Sequence, residues 1–422
     1  MNSIKNFLLN CFLLFWWVNF EFVNRLAIFP LFNISLFKIL SSILVLFFLI
    51  FNLGNGKIKV IPISIWVIFF LIVFISFIAF LYSERMAIQV PFNISDRYLT
   101  QLVSLISSFV LGLFIYDSIK NHSNGFFRFL KYGYILVFLS VLWQILFIGL
   151  DFFPRLYGLA GEPKALGLIL VPFISALYFE GLNNKFENKV LLFISGSILV
   201  FTLSSTAFIA LFIVLFFIFF CNSNKGIPIY KFSFGLASLI VFLLFVTDLY
   251  DLDEVIFGRI FNRVVGEYVF GVQTVVDIPF VGNITIDGND APVARMFLDN
   301  PFIMFTGVGF GFQAIFSYEY MLKYDSGFLD MFYTGYITPN IALLNHFSNY
   351  GFLIFIFLFL DGIKAIKSLL KLSLESNLRF IIIYFSSWFI ISCLVYEMTF
   401  KIIFLYLILK SLNFYLKKVN YA

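Results

Sequence analysis

Arginine is the residue type whose placement in this chain points most directly to chemistry. The sequence is built mainly of apolar stretches, and seven of its nine arginines fall in connections predicted to lie on one side of a membrane, whereas most lysines fall on the other. A guanidinium is planar, permanently charged and able to bind a phosphate through two parallel hydrogen bonds. The arginine-rich side is therefore predicted to handle a phosphorylated ligand.

One group of candidate residues surrounds the connection 151–163. It contains Arg155 and Glu162, is followed directly by Lys164, and has glycines at positions 158 and 161 that allow a ligand to approach the backbone closely. The alternative is an ordinary polar loop whose charges pair with one another.

A second group lies later in the chain. Arg295 falls on a short segment predicted to be helical, and its alternative role is that of an interfacial arginine reaching lipid headgroups. His346 stands at the start of a predicted span, where histidine could serve as a general base. A lone histidine at a helix start is more often structural.

Composition places the chain among membrane proteins. It has 422 residues, of which 62% are hydrophobic and only 12% are charged, and apolar runs of about 20 residues recur from end to end. The net charge of +5 follows from the loop lysines and does not indicate nucleic acid binding. Cys11, Cys221 and Cys393 lack metal-ligand spacing, and no metal or cofactor is expected.

The predicted fold class is an all-α polytopic membrane protein with about twelve transmembrane helices. Lysine-rich short loops place both termini and the lysine side in the cytoplasm. The stretch 190–220 would be about 46 Å long as one helix, so we predict two short spans that turn at 202–206. The predicted spans are 6–24, 34–53, 62–82, 98–117, 129–150, 164–182, 190–204, 206–220, 232–247, 342–360, 380–396 and 400–416.

Residues 248–341 form one connection far longer than the others, and a loop of this length is expected to be functional or independently folded. We predict a large, partly helical loop on the outer side, with residues 251–268 as a surface helix and tight turns at 307–311. The chain is thus divided into residues 1–247, the loop 248–341, and residues 342–422 with a cytoplasmic tail.

Several short blocks, in this order and placement, resemble the O-antigen polymerase and ligase superfamily of bacterial envelope glycosyltransferases. The blocks are Arg155-Leu-Tyr-Gly with Glu162-Pro163, the turn Leu203-Ser204-Ser205-Thr206, Asn300-Pro301 leading to Gly307-Val-Gly-Phe-Gly, and Asn349-Tyr350-Gly351. The resemblance covers most of the chain, and no single block is specific by itself.

The resemblance implies an enzyme of the bacterial inner membrane whose active face is periplasmic. Its donor and acceptor would be glycans carried on undecaprenyl pyrophosphate, and a chain-length regulator protein would be a partner. Arginines would stabilise the pyrophosphate leaving group as the glycosidic bond breaks. A flippase or other transporter is the non-enzymatic alternative, but it would be expected to carry its charges within helices and to have short loops.

Two departures from the family pattern matter. The inter-span turn reads Ser204-Ser205 where members often have Ser-Arg, so an arginine contact of the family is missing. Asn340 stands at the register of the ligase histidine, and this departure favours polymerase over ligase. The candidate catalytic residues are Arg155, Arg295 and His346, and the candidate substrate-binding residues are Arg85, Arg97, Glu162, Lys164, Arg259, Arg263 and Asn340.

Overall fold

The computed structural model describes residues 28–29, 34–35, 62–85, 90, 93–148, 156–160, 162–181, 186–222, 273–278, 282–287, 290–318, 320, 341–372, 374–395 and 399–420. Most of them are α-helical, which confirms the predicted helical class. Two antiparallel hairpins add a small β component. They pair β1 (Ile28–Phe29) with β2 (Ile34–Ser35) and, within the long connection, β3 (Gln273–Ile278) with β4 (Gly282–Asp287).

Eleven α-helices are assigned in the described ranges. In chain order they are α1 (Ile63–Arg85), α2 (Ile94–Trp143), α3 (Pro163–Gly181), α4 (Phe186–Phe201), α5 (Ser205–Asn222), α6 (Ala291–Asp299), α7 (Pro301–Thr306), α8 (Gln313–Phe316), α9 (Ala342–Lys371), α10 (Ser376–Leu394) and α11 (Thr399–Asn420).

Four helical stretches of the described part are long and apolar enough to cross a membrane: Ile63–Arg85, Ile94–Phe147, Pro163–Glu180 and Ser376–Leu394. The pattern of α1 shows why membrane is the fitting surrounding. Its buried face includes Ser76, Ala79 and Ser83, whereas Phe70 and Phe74 are exposed. Apolar side chains outside and small or hydroxyl side chains inside are typical of helices that pack within lipid. The count of twelve spans stays a prediction.

The predicted break between the two short spans is present. Helix α4 ends at Phe201 and α5 begins at Ser205, and Leu203 between them adopts a positive φ of 49°. The Thr202 hydroxyl donates to the carbonyl of Leu199 at 2.7 Å and so satisfies a polar group that is fully buried. Thr202 and Ser204 of this turn are buried, which is what a turn within a membrane would require.

The segments predicted as spans 98–117 and 129–150 are two helices that meet at a kink. Helical residues run from Ile94 to Trp143, but His122, inside the polar stretch 118–128, has non-helical torsions of φ −145° and ψ 49°. The predicted break between the two segments is therefore present, but it is a kink at His122 rather than a longer loop. The polar residues on either side of His122 are helical, because a helix satisfies its backbone internally.

The chain divides into two compact units. The first comprises Met1–Asn55, Leu111–Ile256 and Ile366–Ile391, and the second comprises Gly56–Val110, Phe257–Ala365 and Ser392–Ala422. In the first unit, α3 packs against α4 and α5. A Cβ at Gly167 would lie 2.5 Å from the Cβ of Ala207, so this packing requires glycine. The division at residues 247 and 341 stays a prediction.

Candidate functional site

The glycine-rich segment 307–311 lies in the second unit, where it contacts helices α1 and α9. Gly307, Gly309 and Gly311 all have positive φ, as the sequence predicted for tight turns. The Val308 N–H donates to the carbonyl of Ser348 at 2.7 Å, and the Phe310 N–H donates to the hydroxyl of Ser76 at 2.9 Å. This segment is thus bound on two sides by neighbouring helices.

Close backbone approach explains why glycine stands at both ends of this contact. A Cβ at Gly307 would lie 2.5 Å from the backbone nitrogen of Gly351. Gly351 interrupts α9 with φ of 75° and ψ of 152°, torsions that L-residues rarely adopt. The broken helix and the glycine-rich segment therefore fit together only because neither residue has a side chain.

A buried network of amide side chains holds this junction. The Asn349 Oδ1 accepts the Gly311 N–H at 2.6 Å, and its Nδ2 donates to the Gln313 Oε1 at 2.8 Å and to the Asn345 Oδ1 at 2.9 Å. The Ser348 hydroxyl donates to the same Gln313 oxygen at 2.7 Å. The Asn345 Nδ2 has no partner among the described residues, whereas the Asn349 side chain uses both its oxygen and its nitrogen. Buried hydrogen bonds of this kind favour one arrangement of a core, because breaking them leaves polar groups unpaired.

Arg97, a predicted substrate-binding residue, is part of this junction. Its Nε donates to the carbonyl of Gly311 at 2.9 Å, and the N–H of the same glycine donates to Asn349, so the backbone at Gly311 orients the guanidinium.

Arg85 is exposed at the last residue of α1. The Ser95 hydroxyl donates to Glu84 at 3.2 Å and joins the end of α1 to the start of α2. Arg85 and Arg97 therefore lie at the same end of this helix pair.

Arg295 lies on α6, which confirms the helix predicted around it. Val293, Met296 and Phe297 of that helix are buried in a hydrophobic cluster with Ala79 of α1 and with Phe312, and Tyr98, next to Arg97 in sequence, packs against the same cluster. Arg295 itself is half-buried. The structure thus anchors the helices that carry Arg97 and Arg295 on one core.

His346 is fully buried in α9. Its Nε2 lies 2.7 Å from the carbonyl oxygen of Ser392, which can only accept, so Nε2 carries a proton and donates. The ring stacks on Phe355 with centroids 5.1 Å apart. Nδ1 has no hydrogen-bond partner among the described residues. The geometry is that of a histidine held inside the helix packing.

The first unit brings together two of the sequence blocks. The Leu156 N–H donates to the carbonyl of Phe201 at 3.1 Å, so the 156–160 segment lies against the turn that follows α4. Glu162 is exposed just before α3, and Lys164 is half-buried in the first turn of that helix. The candidates Arg155, Arg259, Arg263 and Asn340 lie outside the described residues.

Sequence reasoning missed the amides that build the junction. Asn345, Ser348 and Asn349 have the i, i+3, i+4 spacing that puts side chains on one helix face. A polar face at the start of an otherwise apolar helix was the available signal. Gln313 carried no such signal, because only the fold brings it to Asn349.

In comparisons with known proteins, the chain matches no protein-family model, no curated protein and no solved structure. Its described part has four helices long and apolar enough to span a membrane, which indicates a helical membrane protein.

Proposed function

We propose that the chain is a membrane glycosyltransferase that polymerises oligosaccharide repeat units carried on undecaprenyl pyrophosphate. The reaction would take place at the periplasmic face of a bacterial inner membrane and would build O-antigen or a related surface polysaccharide. The observation that carries the proposal is the set of arginines on one predicted side, with Arg97 oriented by the Gly311 carbonyl.

The chemistry needs little beyond positioned positive charge. An acceptor hydroxyl oxygen forms a bond to the anomeric carbon of the donor glycan, and the bond from that carbon to the pyrophosphate oxygen breaks. The lipid pyrophosphate leaves with the bonding electron pair, and the hydroxyl proton passes to solvent or a base. Negative charge grows on the leaving phosphate, which is where guanidinium donors stabilise a transition state most.

Loss of the gene tests the proposal directly. A polymerase defect leaves single repeat units attached to the surface lipid, because attachment does not depend on chain growth. Loss of a ligase would instead leave long chains on undecaprenyl pyrophosphate, and loss of a flippase would leave single units on the inner leaflet. Either of these outcomes, seen by gel analysis of surface and lipid-linked glycans, contradicts the proposal.

Point variants test the arginine roles. Arg155→Ala and Arg295→Ala should each abolish long chains at normal protein levels, since loss of one transition-state donor costs about 3 kcal/mol, roughly a hundredfold in rate. Lysine at either position should give short chains, because an ammonium cannot make two parallel bonds. Arg128→Ala, an exposed arginine on the predicted inner side, is the matched control and should change nothing. If both alanine variants keep normal chain length, these arginines do not bind the pyrophosphate and serve only as membrane-surface anchors.

Topology gives an independent test. A cysteine placed at Ser326 in the long connection should react with an impermeant maleimide added from outside, and one placed at Ser373 should not. The reverse labelling pattern would put the arginines in the cytoplasm and remove the basis of the proposal.

A further inference from the structure

Gln144 stands out in the first unit as a buried amide at the end of a membrane-length helix. It begins a short π-helical segment, Gln144–Ile148, directly after α2, and only 3% of the residue is exposed. Its Oε1 accepts the Tyr157 N–H at 2.9 Å and the Gly158 N–H at 2.8 Å. One side-chain oxygen thus satisfies two successive backbone donors of a separate segment, which is the capacity of its two lone pairs.

The same segment is held from two further directions. Leu156, the preceding residue, donates its N–H to the carbonyl of Phe201. Gly158 has a positive φ of 48°, and a Cβ at this position would lie 2.7 Å from the hydroxyl oxygen of Ser140, one helical turn before Gln144. Three consecutive residues are therefore fixed in place, although connecting segments are usually the more mobile parts of a fold.

Burying a polar side chain at the end of an apolar span costs free energy unless the side chain is hydrogen-bonded. π-Helical turns are often found at functional sites. The Gln144 side chain bonds the backbone of a segment that follows Arg155 directly in sequence and precedes Glu162 and Lys164. We propose that Gln144 is a positioning residue: by fixing the backbone of Tyr157 and Gly158, it sets the place of the nearby charged residues Glu162 and Lys164 for pyrophosphate binding. The inference rests on the proposed function for its substrate.

Two variants and two measurements test the role. Gln144→Met keeps the size of the side chain but removes the acceptor, whereas Gln144→Glu keeps an acceptor oxygen. Leu142→Ala, at an exposed position of the same helix, is the matched control. The first measurement is the maleimide labelling rate of a cysteine at Tyr157 in a background whose native cysteines are serine. The second is the chain-length distribution of the surface glycan with Tyr157 intact.

Gln144→Met should raise the labelling rate and lower the yield of long chains, each on the order of tenfold, at normal protein levels, with substantial rescue by glutamate. The control should leave both measurements unchanged. An unchanged labelling rate in Gln144→Met overturns the inference. The inference also fails if gene loss shortens the glycan chains, but Gln144→Met labels faster and still makes chains of normal length. If gene loss has no effect on chain length, the proposed function fails, and the labelling rate still decides whether Gln144 holds the segment. If the methionine variant does not accumulate, Gly158→Ala, which strains the same segment while keeping Gln144, is judged by the same two measurements.

Discussion

Asn349→Leu tests the amide junction most directly, because leucine has similar size and none of the four hydrogen bonds. Asn349 accepts from the Gly311 N–H at 2.6 Å and donates to the Gln313 Oε1, the Asn345 carbonyl and the Asn345 Oδ1 at 2.8, 2.7 and 2.9 Å. The Gln313 oxygen and the Asn345 carbonyl both keep the donor of Ser348. Two groups lose their partner in the described part of the chain, namely the Gly311 N–H and the Asn345 Oδ1.

Each stranded buried group costs about 1–3 kcal/mol, so the free energy of unfolding should fall by about 2–6 kcal/mol. The measurement is unfolding of the purified protein in mixed micelles with rising SDS, followed by tryptophan fluorescence. Asn377→Leu is the matched control, because the Asn377 side chain donates an exposed hydrogen bond, to Asn124 at 2.8 Å, rather than joining a buried network. That variant should lose less than about 1 kcal/mol.

The junction also carries a functional consequence. Displacing Gly311 removes the carbonyl that orients Arg97, so long-chain formation should fall even in the fraction of Asn349→Leu protein that stays folded. Equal unfolding free energies for Asn349→Leu and Asn377→Leu would refute the reasoning, because the buried network would then contribute no more than a surface hydrogen bond.

Three further predictions concern single contacts. The Lys410 ammonium lies 2.6 Å from the Asp361 carboxylate. Lys410→Met leaves that carboxylate without its cation, so the free energy of unfolding should fall by about 2 kcal/mol. Adding Asp361→Asn should restore part of the loss. Gly311→Ala must adopt a φ of 79° and should lower the free energy of unfolding by about 2 kcal/mol. Gly196→Ala, in a described helix with no described atom within 4 Å of the new Cβ, should instead stabilise slightly. His346→Ala removes a fully buried ring and its hydrogen bond, so the protein level should drop and the free energy of unfolding should fall by about 3 kcal/mol. A polymerisation defect with unchanged stability would instead indicate a chemical role for His346.

Local features were readable from the sequence. Apolar runs of the right length gave the helices at 63–85, 163–181 and 376–394, and the 31-residue apolar stretch predicted a break that the structure has at Leu203. The short helix that carries Arg295 was equally local. Such features depend on neighbouring residues alone, because helix length, hydropathy and glycine torsions are set within a few positions of the chain.

Pairings between distant residues were decided by the tertiary structure. Gly311 meets Asn349 and Arg97, and Gln144 meets the backbone at Tyr157, across separations that no spacing rule encodes. An amide can satisfy almost any donor or acceptor, so its type alone does not name its partner. The sequence by itself determined that this chain forms apolar helices with arginines gathered on one predicted side. Only packing selected which buried amide holds which turn, because a buried polar group is stabilised only where the fold brings it a partner away from water.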